Sequence, residues 1–393
     1  MISLGNLIAL VRARVPLMHA LVERLVCVNS YSRNVAGVNA CGALLVEAFR
    51  IPGLSLRVER GGAGAGDHLF WSTPAAREGQ TVLIIGHHDT VFPPGEFEGY
   101  QVSSPGEQLR GSGPGCFDMK GGLAVIWGVL DALAEAQCLD EVPLVLASVA
   151  DEEVGSRDSR PHLEACARLA ACGLVFESGR AGDAIVTRRR GVGIVRAKAS
   201  GRAAHAGNAH AAGANAIWTL ARFIESAQRL TDYDRGVTVN VGTVQGGTST
   251  NTVPAQAEAS VDLRFDTVGD GEGLVASLRE AAVRAAVPGT RLELEGGVNR
   301  PPMEKSAASE ALYREYAACQ REAGLGAAEH PLVGGGSDGN TASAVGLPVI
   351  DGLGPRGGGF HTKDEHVELA SFAPKAEALL RFLHGRFSSA GAR

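Results

Sequence analysis

Residues Thr81 to Val91 read T-V-L-I-I-G-H-H-D-T-V, an apolar run that turns into three consecutive polar residues able to bind metal. The run Val82-Leu83-Ile84-Ile85 is continuous and rich in β-branched residues, which predicts a strand covered on both faces. Gly86 marks a point where the backbone can bend or be approached closely. Side chains alternate along an extended segment, so His87 and Asp89 point one way and His88 the other. In such an H-x-D pair the imidazole can take a metal while the carboxylate fixes its position or tautomer. Strand-end histidines are more often structural than ligating, so the remaining chain has to decide.

With 393 residues, at about 150 residues per domain, the chain is expected to form two domains or slightly more, with a sizeable core. The net charge of -6 comes with no polybasic stretch, which argues against nucleic acid or an anionic membrane as partner. No apolar run approaches the roughly 20 residues of a membrane span. The first 28 residues, broken by Arg12, Arg14, Pro16, Glu23 and Arg24, do not read as a signal peptide. The seven cysteines are scattered, without a C-x-x-C, as in reduced thiols of a cytoplasmic protein; a cytoplasmic location is the expectation.

Apolar spacing predicts helices over Leu7–Val28, interrupted near Pro16, and over Val38–Phe49, followed by a strand over Leu54–Arg60. The segment G-G-A-G-A-G at Gly61–Gly66 lacks the Lys-Ser/Thr of a phosphate loop and reads as a hairpin loop. Pro93–Pro114 is a long Gly/Pro-rich excursion, a length typical of functional loops. It leads into G-P-G-C-F-D-M-K-G-G, with Asp118 just ahead of a helix that begins at Leu123. A carboxylate there is also a routine helix cap. Two more apolar strands follow, Pro143–Val149 running into Asp151-Glu152-Glu153, and Leu174–Phe176 running into Glu177. Buried strands that all place acids or histidine at their C-terminal ends follow the ligand geometry of open α/β sheets.

From Gly191 the pattern changes. Strands at Gly191–Ala199, Val237–Val244, Ala257–Phe265 and Arg291–Glu295, with helices at Asn215–Leu230 and Leu274–Ala286, give the order β-α-β-β-α-β of a ferredoxin-like unit. After Asn299 the α/β pattern resumes, with a helix over Ser309–Ala323, the Gly334–Gly339 loop, a short strand Pro348–Ile350, a loop bearing His361 and a closing helix over Ser371–Phe387. The expected organisation is a catalytic domain in two segments, residues 1–189 and 299–393, interrupted by a ferredoxin-like domain at 190–298.

Taken together, H-x-D at His87 and Asp89, G-P-G-x-x-D-M-K-G-G containing Asp118, D-E-E at Asp151–Glu153, F-E at Glu177, G-R-A-A-H-A-G at His205 and the late histidine His361 occur in one order and spacing. The chain resembles the M20 family of dinuclear zinc peptidases and deacylases over nearly its whole length, most of all the glutamate carboxypeptidase (carboxypeptidase G2-like) branch. The resemblance implies an α/β/α sandwich with a central mixed sheet, and a ferredoxin-like α+β lid that also dimerises.

It further implies two zinc ions per chain bridged by Asp118, one completed by His87 and Glu177 and the other by Glu153 and His361. Cobalt or manganese fits the same ligand types. Glu152 would be the general base for water attacking an amide carbonyl, Asp89 would support His87, and the lid histidine His205 would polarise that carbonyl across the dimer. Asn251 and Arg264, in T-S-T-N and V-D-L-R, would clamp a substrate carboxylate, with the backbone of Gly335, Gly336 and Ser337 assisting. His210 and Ser178 stand where relatives often carry proline. The run Arg188-Arg189-Arg190 reads as a solvated connector, or as an attractor for an anionic substrate. The expected activity is cleavage of an amide beside a free carboxylate in a small molecule or short peptide, with glutamate a candidate product. A deacetylase, desuccinylase or aminohydrolase of a small metabolite is the second reading, and a catalytically silent binding protein the third.

Overall fold

The computed structural model describes residues 2–62, 64–106 and 108–390. Met1 and residues 391–393, at the outer ends of the predicted catalytic segments, and Ala63 and Glu107, in two predicted loops, lie outside the described residues. Two compact units are present. The first comprises Met1–Thr187, Lys305–Leu332 and Ser337–Arg393, and the second Arg188–Glu304 with Val333–Gly336.

The first unit is built on a six-stranded mixed sheet in the order Ser55–Glu59, His68–Ser72, Leu144–Val149, Thr81–His87, Ala170–Val175, Val349–Ile350. The two outer strands Ser55–Glu59 and His68–Ser72 run antiparallel, and the other four are mutually parallel. Thr81–His87 lies inside this parallel set and is buried along its whole length, which explains its unbroken apolar reading: both faces are covered. Val82 and Ile84 join a core with Val125 and Val129 of the helix Gly121–Glu135 and with Leu379 and Leu383 of the helix Phe372–Ala390. Leu83 and Ile85 alternate to the opposite face, where the helices Arg160–Leu169 and Asp338–Ala344 pack against the same strand. Helices therefore cover both faces of the mixed sheet, an α/β/α sandwich.

Near the N-terminus, the helix expected to be interrupted near Pro16 is two helices, Leu4–Ala13 and Val15–Val26, with Pro16 in the first turn of the second, where its missing N–H has no helical partner to lose. Together the two helices have the length and apolar composition of a bent span, but among the described residues no single helix is long and apolar enough to cross a membrane, and Leu7, Val11, Met18 and Val22 are packed in the core. Several elements escape the sequence pattern, among them the following. His68–Ser72 is short and owes its strand state to partners on both sides. Arg160–Leu169 buries only Leu163 and Ala167, too thin an apolar stripe to read. A small antiparallel sheet joins Gln101–Ser103, Arg110–Ser112, Gly357–Gly358 and His366–Glu368 out of stretches that read as loop.

The second unit has a four-stranded antiparallel sheet in the order Thr238–Gly246, Gln256–Phe265, Gly191–Ser200, Arg291–Arg300. The helices Ala216–Gln228 and Val268–Ala285 cover one face through Leu220, Phe223, Leu274 and Leu278, against Val195, Ala197, Val261 and Leu263. This is the ferredoxin-like β-α-β-β-α-β order. The opposite sheet face carries ion pairs, among them Arg196–Glu258 at 3.4 Å and Lys198–Glu295 at 2.7 Å. The second helix starts six residues earlier than its apolar spacing indicates, because Thr267 caps it and tertiary packing overrides the poor helix propensity of Gly269, Gly271 and Gly273. The Arg188–Arg190 run is not a uniformly solvated connector: Arg189 is buried and donates to the Gly335 carbonyl over 3.2 Å, and Arg190 pairs with Asp266 at 2.8 Å.

Candidate metal centre and active site

His87 is the last residue of its strand and is buried. Its Nδ1 faces two acceptors, the Asp89 carbonyl at 3.1 Å and the Asp89 carboxylate at 3.3 Å, so Nδ1 carries the hydrogen and donates it. Nε2 faces the Asp118 carboxylate at 3.3 Å and that of Glu177 at 3.5 Å. Glu177 arrives just past the end of Ala170–Val175, whose Val175 pairs with Ile85 beside His87. His88 points away: its Nδ1 meets Ser148 Oγ at 3.0 Å, and burial pushes its pKa down to about 3, leaving a neutral interior imidazole.

Asp118 sits in the single turn Cys116–Lys120 that precedes the helix Gly121–Glu135, and its peptide bond to Met119 is cis. While one carboxylate oxygen faces His87, the other faces His361 Nε2 at 3.4 Å, and His361 in turn meets Glu153 at 3.2 Å. His361 adopts φ of 61°, a left-handed conformation that costs a side-chain-bearing residue roughly 1–3 kcal/mol and is held by its surroundings. Glu152 and Glu153 lie in a short turn directly after Leu144–Val149. Ligand atoms of His87, Glu152 and Glu177 lie within 4.8 Å of one another, as do those of His87, Asp118 and Glu153.

The charge balance shows what such a cluster lacks. Burial disfavours charge on His87, but bonds to Asp118, Asp89 and Glu177 outweigh it and hold its pKa well above the ordinary value. Asp118 and Glu153 raise His361 to about 10 against its burial. Burial and the charge of Asp118 push Glu153 up to about 8 and Glu177 up to about 7. Asp118 itself is held well below the usual carboxylate range, since its bonds to His361 and His87 overcome burial. Three carboxylates are thus crowded together, and the protons held by the two histidines and by the raised acids offset their repulsion. Imidazole and carboxylate donors on two sides of a shared carboxylate fit divalent zinc-class ions.

Two carboxylates hold this cluster from behind. Asp89, fully buried, accepts the backbone N–H of Glu152 at 3.1 Å and of Glu153 at 3.2 Å, and the Ser32 hydroxyl at 2.7 Å. Glu365, equally buried, accepts the N–H groups of Gly115, Phe117 and Asp118 at 3.1, 2.9 and 3.0 Å. Neither Ser32 nor Glu365 emerges from the sequence reading. Their loops have no periodicity, and the only signal available was an acid four residues beyond His361.

The remaining predicted residues fall into two groups. His205 and Asn251 come together in the second unit, where Ala204–His205 pairs with Thr252–Val253 and the Ala206 N–H donates to the Asn251 carbonyl at 2.9 Å. His205 Nδ1 accepts the N–H groups of Gly207 and Asn208 at 3.1 and 3.0 Å, so the hydrogen resides on Nε2 at the exposed edge. Arg264 forks onto Asp262 at 2.8 and 2.9 Å and reaches the Gly334 carbonyl at 3.4 Å. Gly335 and Gly336 belong to that same loop, with the carbonyl of Gly335 held by Arg189. Ser337 is buried in the first unit, where it caps the helix Asp338–Ala344 and its hydroxyl donates to Asp351 at 2.5 Å. Its side chain is therefore already engaged.

Comparison with known proteins converges on one family. A profile described as the peptidase dimerisation domain of the M20 type matches residues 187–290. Carboxypeptidase G2 of Pseudomonas sp. (strain RS-16) is 29% identical over 353 residues, covering 89% of this chain and 84% of that protein. Succinyl-diaminopimelate desuccinylase of Cereibacter sphaeroides (strain ATCC 17023) is 29% identical over 360 residues, covering 84% and 89%. Among solved structures, aminopeptidase PepT from Bacillus cereus ATCC 10987 superposes with a TM-score of 0.74 at 24% identity, over 95% of this chain and 99% of that one. A dimerisation-type unit interrupting an α/β/α sandwich, a histidine–carboxylate cluster at the sandwich's strand ends and relatives matched over most of both lengths agree with one another: the chain carries an M20-type peptidase dimerisation domain, and over most of its length it is similar to a carboxypeptidase and to related amide hydrolases.

Proposed function

We propose that this hydrolase cleaves an amide bond next to a free carboxylate, as a carboxypeptidase or N-acyl-amino-acid amidohydrolase with glutamate among its products, using two zinc-class ions. The observation that carries the reading is the Asp118 carboxylate, whose two oxygens face two different histidines, each backed by a further acid, Glu177 beside His87 and Glu153 beside His361. Two cations held side by side would need such a shared anion to offset their mutual repulsion. When bound, they supply Lewis-acid polarisation of a carbonyl and acidify water.

The chain's own groups supply the rest. Glu152, its backbone fixed by Asp89, takes the proton of the attacking water and passes it to the leaving amine. His205, with hydrogen on Nε2, donates to the oxyanion that develops on the carbonyl. Asn251 and Arg264 bind the substrate carboxylate. Arg264 already holds Asp262 through its planar fork, the geometry with which a guanidinium takes a carboxylate. The N–H groups of Gly335 and Gly336 add to the same anion site. The second unit carries exposed Ile217, Trp218 and Val244, apolar surface suited to pairing with a second copy, and we place His205 of one subunit at the reacting carbonyl of the other. The seven free cysteines suit a reducing, cytoplasmic setting.

Removal of a succinyl or acetyl group from a metabolite is the second reading, favoured by the desuccinylase relative at the same 29% identity as carboxypeptidase G2. A panel of N-acyl amino acids, α- and γ-glutamyl amides and N-succinyl diamino acids, assayed with zinc or cobalt by amino acid release, decides between them. Turnover confined to N-succinyl or N-acetyl metabolites selects the second reading. No turnover on any amide removes both.

A further inference from the structure

We infer that Glu365 is a positioning residue that joins the His361 loop to the Asp118 turn and so sustains the half of the centre formed by His361, Glu153 and Asp118, an inference that rests on the dinuclear reading above. One Glu365 oxygen accepts the N–H groups of Phe117 and Asp118, at 2.9 and 3.0 Å, and the other accepts that of Gly115, at 3.1 Å. The turn uses its other backbone bonds internally, Cys116 to the Gly113 carbonyl and Lys120 to the Gly115 carbonyl. Glu365 therefore satisfies three donors that would otherwise be buried without a partner.

Its place in the chain gives these bonds a consequence for the metals. Glu365 follows His361 by four residues and is anchored by its own N–H to the Thr362 carbonyl at 3.2 Å, while the next residues pair with Arg110–Ser112. One loop thus grips Asp118 twice, through its backbone by Glu365 and through its carboxylate by His361 at 3.4 Å. The other half rests on different supports. His87 and Glu177 emerge from adjacent parallel strands that pair directly, Ile85 with Val175. Loss of Glu365 frees the His361 loop and the Asp118 turn from each other, and leaves the two strand ends in register.

Glu365→Gln isolates the effect at constant volume. Whichever way the amide is turned, its NH2 opposes either Gly115 or the Phe117 and Asp118 pair, a donor against a donor. The test is titration of the metal-free full chain with cobalt, followed by calorimetry, visible absorption and electron paramagnetic resonance. The wild type is expected to take two equivalents with a spin-coupled signal at full loading. Glu365→Gln should keep one equivalent near wild-type affinity, and bind the second about 10- to 100-fold more weakly, with the coupled signal lost at stoichiometric loading. Glu365→Asp, which keeps both acceptor oxygens on a shorter arm, should recover part of the second equivalent. Two unchanged equivalents in Glu365→Gln overturn the inference, as does equal loss of both equivalents in both variants. A wild type that takes up only one ion removes the dinuclear reading itself and this inference with it.

Discussion

The carboxylate of Asp89 accepts the backbone N–H of Glu152 over 3.1 Å. Because the same carboxylate also meets His87 at 3.3 Å and the Glu153 N–H at 3.2 Å, one buried anion fixes a histidine of one strand end and the acidic turn of the next. Asp89→Asn keeps the shape but offers a single acceptor oxygen and no charge. It should lower stability by roughly 1.5–3 kcal/mol and metal affinity about 10- to 100-fold, read by chemical denaturation and metal titration. Unchanged metal affinity would reduce Asp89 to a packing role.

Glu152 and Glu153 are chain neighbours with different expected roles. Glu152→Ala should reduce kcat by about 10²–10⁴-fold while metal content stays near that of the wild type. Because Glu152 also lies within ligand distance of His87 and Glu177, a fall in bound metal would make it a ligand instead of the base. Elemental analysis beside kinetics separates the two.

Metal uptake should release protons. In the metal-free protein the raised pKa values of Glu153, about 8, and His361, about 10, leave both protonated at pH 7, whereas ligands must bind deprotonated. Apparent metal affinity should therefore rise between pH 6 and pH 8 and fall again on acidification. Calorimetry in buffers of different ionisation enthalpy measures the protons displaced, and a heat independent of buffer would contradict the charge balance.

His88 belongs to the interior, not to the metals. Its depressed pKa, about 3, lies below the unfolded value near 6.5, so its stabilising contribution is complete above that pH and is lost as pH falls toward 3. His88→Ala should leave metal content unchanged, cost roughly 2–5 kcal/mol through the cavity it leaves, and flatten the acid limb of the stability curve between those pH values. Loss of a metal ion in this variant would refute the assignment.

Mixing subunits tests where His205 acts. His205→Ala and Glu152→Ala, each nearly inactive alone, should regain activity when unfolded and refolded together, because a mixed dimer pairs one intact His205 with one intact Glu152. Failure to complement, or a fully active monomer in sedimentation, would place His205 within its own subunit or outside the chemistry.

Much of this centre was legible because strand-end chemistry leaves a sharp trace. Apolar runs that stop at His87, Asp151–Glu153 and Glu177 mark where a covered sheet meets its ligand edge. The ferredoxin-like unit was readable by periodicity, since its strands bury one face and alternate. Arg160–Leu169 and His68–Ser72 were not, the first for want of an apolar stripe and the second because its strand state comes from its neighbours.

The local code of the chain, which residues are apolar and at what period, determined by itself most of the order of strands and helices, the interruption by a second unit and the strand ends that carry acids and histidines. Only the tertiary structure decided which of them meet: that Asp118 stands between His87 and His361, that Asp89 and Glu365 hold backbone N–H groups far along the chain, and that Ser337 spends its hydroxyl on Asp351. Hydrophobic periodicity is set by residues a few positions apart and is written in the sequence. A buried carboxylate, by contrast, takes whichever donors the folded backbone leaves unpaired around it, and those donors can lie 63 residues away, as between Asp89 and Glu152, or 247, as between Glu365 and Asp118.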